Sequence, residues 1–287
     1  MILTALVRTE ILAQHLADPD WIVFDCRHDL ADPARSPRDY AESHIPGARL
    51  LHLDEDLSAP KTGKNGRHPL PDPDVLMEKL GRAGVDARKQ VLAYDSQGGM
   101  VAARLWWLLR WLGHLPVAVL DGGWNQWVAE GRPRSAEVPP QRPAKFSGKP
   151  RSDRVDAEFI RSHLGDEGTV LLDARAPDRF RGQNETLDPV GGRIPGARNR
   201  YFRDNLGADG CFKPREILKA EFSAVLGDTR PKDVVHYCGS GVSACHNLFA
   251  MEVAGMRGGR LYPGSWSEWC ADPARPAESG EPQARER

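Results

Sequence analysis

At 287 residues the chain is long enough for two ordinary cores, because a single core stops growing near this size. Hydrophobic residues at 40% and charged residues at 28% are those of a soluble globular protein. A formal net charge of −1 excludes a bulk field that would recruit nucleic acid or an anionic membrane.

The N-terminus, Met1-Ile-Leu-Thr-Ala-Leu-Val-Arg8, meets a charge before a signal-peptide core develops. The first strand signal is Val23-Phe-Asp25-Cys-Arg27, followed by the turn His44-Ile-Pro-Gly-Ala48. Next come Asp54, Asp56 and the segment Arg67-His-Pro-Leu-Pro71, then a buried-strand run, Val91 to Tyr94, ending at Asp95. Val101 to Leu112 is a Leu- and Trp-rich helix stopped by Gly113, with Trp106, Trp107 and Trp111 expected to pack rather than to stack on bases. Its most apolar part, Leu105 to Leu112, is cut by Arg110 and too short for a bilayer. After Leu120-Asp-Gly-Gly-Trp124, residues 135–151 contain four prolines and no apolar period, and read as a linker.

The same plan then runs again. Leu171-Leu-Asp173-Ala-Arg175 answers to the first strand, Arg193-Ile-Pro-Gly-Ala197 to the turn, Val234-Val-His-Tyr-Cys238 to the second strand, and Tyr262-Pro-Gly-Ser-Trp266 to the Gly-Trp segment. Four blocks in one order mark a duplication. Each copy reads as short strands alternating with helices, an α/β fold with a central, mostly parallel sheet covered on both faces. The expected domains are 1–134 and 152–272, with a frayed tail over 273–287, where apolar anchors are missing.

The chemistry concentrates after the second strand. Cys238 opens the loop Gly239-Ser-Gly241-Val242-Ser243, and a helix is expected from near Ala244 to Ala254, stopped by Gly255. The glycines let successive N–H groups turn inward, and the helix start adds unpaired N–H groups and the positive end of its dipole. Gly239, Gly241, Val242 and Ser243 are therefore expected to cradle an anion on Cys238, favouring a thiolate or an anionic persulfide. An isolated cysteine would more often be a buried structural one, and that is the expectation for Cys245, inside the helix. Cys26, Cys211 and Cys270 show no chemical partner. Five cysteines without CxxC spacing argue against a disulfide framework or a metal site and for a reducing cytoplasm. His236 reads as a hydrogen-bonded core histidine, and Asp25 and Asp173 as partners of nearby backbone or arginine groups.

The Cys238-Gly-Ser-Gly-Val-Ser-Ala244 loop, the paired Ile-Pro-Gly-Ala turns, Leu120-Asp-Gly-Gly-Trp124 and Tyr262-Pro-Gly-Ser-Trp-Ser-Glu-Trp269 resemble tandem rhodanese-domain sulfurtransferases, up to about Asp272. The resemblance implies two rhodanese-like domains, with catalysis in the second and no cofactor. Asp95 agrees, since a carboxylate at the cysteine position of the first copy cannot carry transferable sulfur. The resemblance further implies Arg179 as the substrate-binding arginine, and Ser240, with His68 and Asp54 reaching across from the first domain, for proton handling. A purely packing role for His68 and a simple hydrogen-bonding role for Ser240 stand beside that reading.

Thiosulfate-preferring members follow the cysteine with basic side chains, whereas Gly239-Ser240-Gly241 is neutral and similar to the 3-mercaptopyruvate-preferring members. The donor implied is 3-mercaptopyruvate, with thiosulfate as the alternative; the acceptor is cyanide, a thiol or a thioredoxin-type protein. The chain departs from many mercaptopyruvate-type relatives nine residues after Arg179, where a second arginine is replaced by Asp188, within Leu187-Asp188-Pro189. Arg193 is a further cation in a stretch, Arg175 to Arg203, with seven arginines against three acids. Two rival readings are a cysteine phosphatase and a non-catalytic rhodanese-like module. The first requires Cys-x5-Arg, and Ala244 stands where the arginine belongs; the intact cysteine loop and Arg179 weigh against the second.

Overall fold

Val91–Tyr94 and Val234–Tyr237 are apolar on both faces of an extended chain, so each must lie inside a sheet covered on both sides. They form the central strands of two separate parallel sheets. The computed structural model describes residues 2–281. In the first unit β1 (Leu6–Val7), β2 (Trp21–Asp25), β3 (Arg49–Leu50), β4 (Gln90–Tyr94) and β5 (Val117–Leu120) take the order β1-β5-β4-β2-β3, all neighbours parallel. Helices α1 (Thr9–His15), α2 (Arg35–Glu42), α3 (Pro73–Arg82), α4 (Ala102–Trp111) and α5 (Gly123–Ala129) flank it. In the second unit β6 (Val170–Asp173), β7 (Arg198–Asn199), β8 (Val234–Tyr237) and β9 (Arg260–Leu261) take the order β7-β6-β8-β9, again parallel. It is flanked by α6 (Ala157–Ser162), α7 (Pro177–Phe180), α8 (Arg215–Leu226), α9 (Ser243–Val253) and α10 (Ser265–Trp269).

The duplication persists down to individual hydrogen bonds. Asp25 pairs in register with Tyr94, and Asp173 with Tyr237. Each aspartate holds an arginine two residues on: Arg27 Nε lies 2.9 Å from Asp25 Oδ2, and Arg175 Nη2 lies 2.7 Å from Asp173 Oδ2. Each tyrosine hydroxyl accepts the amide of the turn isoleucine, Ile45 to Tyr94 at 3.2 Å and Ile194 to Tyr237 at 3.3 Å. Each arginine lies over the tryptophan of the last repeated block, Arg27 over Trp124 and Arg175 over Trp266. These bonds place the repeated blocks at the C-terminal ends of the strands, where open α/β sheets bind ligands. The cores are built alike. Val23, Ile45, Leu92, Tyr94 and Trp127 pack in the first unit, and Leu171, Ile194, Val235, Tyr237, Trp266 and Trp269 in the second. Trp106, Trp107 and Trp111 are buried, and Trp106 Nε1 donates to Thr4 O.

The unit boundaries depart from the sequence expectation in two places. Lys61–Pro69, which contains Arg67 and His68, packs with the second unit, and Leu206–Lys213 packs with the first. The reason for the first exchange is local: Arg67 N–H donates to Ser267 Oγ at 3.0 Å, and the backbone of Gly66 lies against that of Gly264. Residues 135–151 are irregular, as a linker would be, yet they are bonded along the first unit through Ser135 to His44, Ala144 to Gly81 and Lys149 to Leu112. The expected frayed tail is pinned as far as it is described. Glu278 and Arg193 exchange backbone hydrogen bonds, and Trp269 Nε1 donates to Pro276 O. The rest of that tail, 282–287, lies outside the described residues.

Candidate active site

Cys238 follows directly on β8, and α9 begins at Ser243, one residue earlier than expected. Between them the chain curls tightly enough that the N–H of Gly241 points back at Cys238 Sγ, 3.1 Å away. Gly241 takes φ +79°, and a Cβ there would lie 2.3 Å from Pro263 O, so no other residue fits without moving the backbone. Val242 caps α9, and Ser243 opens it, which brings the unpaired N–H groups of a helix start to the same loop. The loop backbone is held from behind by the closing segment. Cys238 N–H donates to Ser265 Oγ at 3.1 Å, Trp266 N–H to Cys238 O at 2.9 Å, and Ser267 N–H to Gly239 O at 2.9 Å. Cys238 itself is 2% exposed. The thiol is thus covered in this structure, with an amide turned toward it.

The groups around the loop belong to the second unit. His68 Nδ1 and Ser240 Oγ are 2.7 Å apart, both buried. Arg179, in α7, is gripped by Glu185 through Nε at 3.2 Å and Nη2 at 2.9 Å, with Asp188 Oδ2 at 3.5 Å from Nη2. Asp188 also takes Nη1 of Arg67 in an ion pair. Burial raises the Glu185 carboxyl, but the Leu187 amide and Arg179 overcome it and leave it below the usual carboxylate value. Asp188 ends above that value, because burial outweighs Arg67. The two arginines and two carboxylates cancel in charge.

The first unit shows what the same strand–loop–helix frame does with a carboxyl group. Asp95, at the position matching Cys238, accepts the amides of Gln97, Gly99, Val101 and Ala102 at 2.7–2.9 Å. Burial pushes its carboxyl up, against the pull of those amides. Trp124 N–H donates to Asp95 O, as Trp266 N–H does to Cys238 O. The frame turns four amides on a carboxyl group in one copy, and the sequence places a sulfur in the other.

Asp54, the third member of the expected relay, lies in the first unit, with its Oδ2 3.7 Å from His28 Nε2. Arg193 is turned to the C-terminal segment, its Nη1 donating to Gly280 O at 2.7 Å and its guanidinium over Phe180. His236 is a core histidine but not a hydrogen-bonded one. It is fully buried, and neither ring nitrogen has a hydrogen-bond partner among the described residues; burial pushes its pKa down to about 3. Cys245 is buried beneath the loop and donates to Gly241 O. The remaining cysteines are held as neutral thiols. Burial raises Cys26 well above the usual thiol value, and Cys211 and Cys270 to about 11. Arg67, Glu185 and Ser265 were not singled out from the sequence. Arg67 sits beside His68 in a quoted motif, but nothing in its spacing tells where its guanidinium goes.

The rhodanese-like domain family model matches the chain twice, over residues 9–130 and 156–272. The chain belongs to the tandem rhodanese-domain sulfurtransferases. A probable 3-mercaptopyruvate sulfurtransferase from Pseudomonas aeruginosa is 49% identical, over 96% of this chain and 98% of that protein. The thiosulfate sulfurtransferase of Bos taurus is 32% identical, over 92% and 91% respectively. Among solved structures, the rhodanese-fold 3-mercaptopyruvate enzyme SseA from Escherichia coli matches with a TM-score of 0.80 at 27% identity, over 92% of this chain and 99% of that one. The first matched region holds β2 to β5 and the second holds all four strands of its sheet together with Cys238.

Proposed function

We propose that this sulfurtransferase takes sulfur from 3-mercaptopyruvate onto Cys238 as a persulfide and passes it to cyanide or a thiol, including a thioredoxin-type dithiol. The observation that carries the reading is the Gly241 N–H aimed at Cys238 Sγ at 3.1 Å, at the head of a helix. An anionic sulfur there meets an inward-facing amide, as the Asp95 carboxyl meets four in the first unit.

In the forward half-reaction the Cys238 thiolate attacks the donor sulfur. The carbon–sulfur bond breaks, and its electron pair leaves on pyruvate as the enolate. The donor's thiol proton ends on the enolate carbon, and Cys238 keeps the outer sulfur as S–S⁻. Arg179 binds the donor carboxylate, and the His68–Ser240 pair, 2.7 Å apart, relays the proton. In the second half-reaction cyanide attacks the outer sulfur, thiocyanate leaves, and the thiolate returns. A dithiol acceptor takes the sulfur as its own persulfide and releases sulfide on closing its disulfide.

The donor assignment rests on charge. No basic side chain follows Cys238 in the loop, and the arginines beside it are matched by Glu185 and Asp188, which suits a singly charged carboxylate better than dianionic thiosulfate. Thiosulfate remains the second reading, favoured by the bovine relative. Turnover of the two donors with cyanide as acceptor decides between them, and faster use of thiosulfate would reverse the assignment. Mass spectrometry after donor treatment is expected to find one added sulfur on the Cys238 peptide. A Cys238→Ser protein that still transfers sulfur would sink the mechanism. The free state of all five cysteines accords with a cytoplasmic site of action, which fractionation would test.

A further inference from the structure

Two guanidinium ends converge on the residue after the cysteine. A Cβ at Gly239 would lie 2.7 Å from Arg67 Nη2 and 3.7 Å from both Nη1 and Nη2 of Arg179. Both arginines are anchored through their other nitrogens. Arg67 uses Nη1 on Asp188, while Arg179 uses Nε and Nη2 on Glu185. Arg67 Nη2 and Arg179 Nη1 make no hydrogen bond among the described residues. The carboxylates hold the other nitrogens and leave Arg67 Nη2, the atom nearest residue 239, and Arg179 Nη1 unengaged, so the pair is a preset fork for an anion beside Cys238.

We propose that Arg67 is a second donor-binding cation, placed by Asp188 in the space that a side chain at residue 239 would fill. This rests on the persulfide reading above and extends it. Asp188 follows Arg179 by nine residues, and Arg67 is brought to it from the segment 61–69, distant in sequence. Glycine at 239 leaves the end of Arg67 its place, since a Cβ there would meet Nη2 at 2.7 Å and push the guanidinium aside. Asp188 is a positioning residue: it is almost fully buried and meets Arg67 rather than the loop.

The test pairs Arg67→Gln with Arg67→Lys and uses two readouts. With 3-mercaptopyruvate, Arg67→Gln is expected to raise KM at least about tenfold with kcat changed much less, and Arg67→Lys to recover part of the loss. Independently of turnover, Cys238 is alkylated with anionic iodoacetate and with neutral iodoacetamide, scored on its own peptide. The ratio of the two rates is expected to fall several-fold in Arg67→Gln and to stay near wild type in Arg67→Lys. An unchanged ratio in Arg67→Gln overturns the proposal, whatever happens to KM, since a lost packing contact would slow both reagents alike. If the wild type ignores 3-mercaptopyruvate while the ratio still falls in the variant, the donor assignment fails and the role of Arg67 stands.

Discussion

Gly241 is where backbone geometry and chemistry meet. Its positive φ, and the 2.3 Å that would separate an added Cβ from Pro263 O, mean that Gly241→Ala must shift the loop. The expected cost is about 2–4 kcal/mol, from strain at a left-handed position plus a backbone clash. Denaturant midpoints should fall accordingly, and sulfur uptake on Cys238 should fall further than stability does, because the N–H that faces the sulfur moves with residue 241. At this scale the glycine loop singles out Cys238 by its residue types, whereas Ser240, His68 and Arg179 come from the family resemblance, and the structure sets His68 beside Ser240. Arg67 and Glu185 were not legible. Their roles come from contacts such as that of Arg67 with Asp188, 121 residues along the chain, which spacing does not encode. The satisfied state expected of His236 failed for the same reason, because a strand pattern says that a residue is inside, not what its polar atoms find there.

Strand β8 carries that histidine through the centre of the second sheet. With a folded-state pKa near 3 against an unfolded value of about 6.5, the native state favours the neutral ring. The stability it contributes is complete above pH 6.5 and is lost as pH falls toward 3, because the unfolded chain binds the proton first. Between pH 7 and pH 5 this one group should remove about 2 kcal/mol. Urea titrations at the two pH values check the sign, and His236→Leu should flatten the dependence whatever its effect at pH 7. The long central strands were legible as apolar runs. The flanking strands β1, β3, β7 and β9 are two residues each, too short to show any alternation. Helix α9 was placed to within a residue because the glycine loop marks its start.

Across the whole molecule, the proline-rich stretch 135–151 groups with the first unit, and the two units exchange short segments that composition does not reveal. Lys61–Pro69 is a loop with glycines and lysines and few apolar anchors, so nothing in its own sequence ties it to either core. A fragment covering residues 152–281 retains Cys238 and Arg179 and lacks Arg67 and His68. It is expected to lose at least about a hundredfold in kcat/KM with 3-mercaptopyruvate, the product of a missing donor contact and a missing proton relay. Assay of the purified fragment beside the full chain checks this. The filled frame around Asp95 has its own consequence, a stoichiometric one. Four backbone donors there are taken by a tethered carboxyl group, so the duplicated scaffold has one place per polypeptide for a transferable sulfur. Titrated with isotopically labelled donor in the absence of acceptor, the protein should saturate at one equivalent, half of what its symmetry suggests.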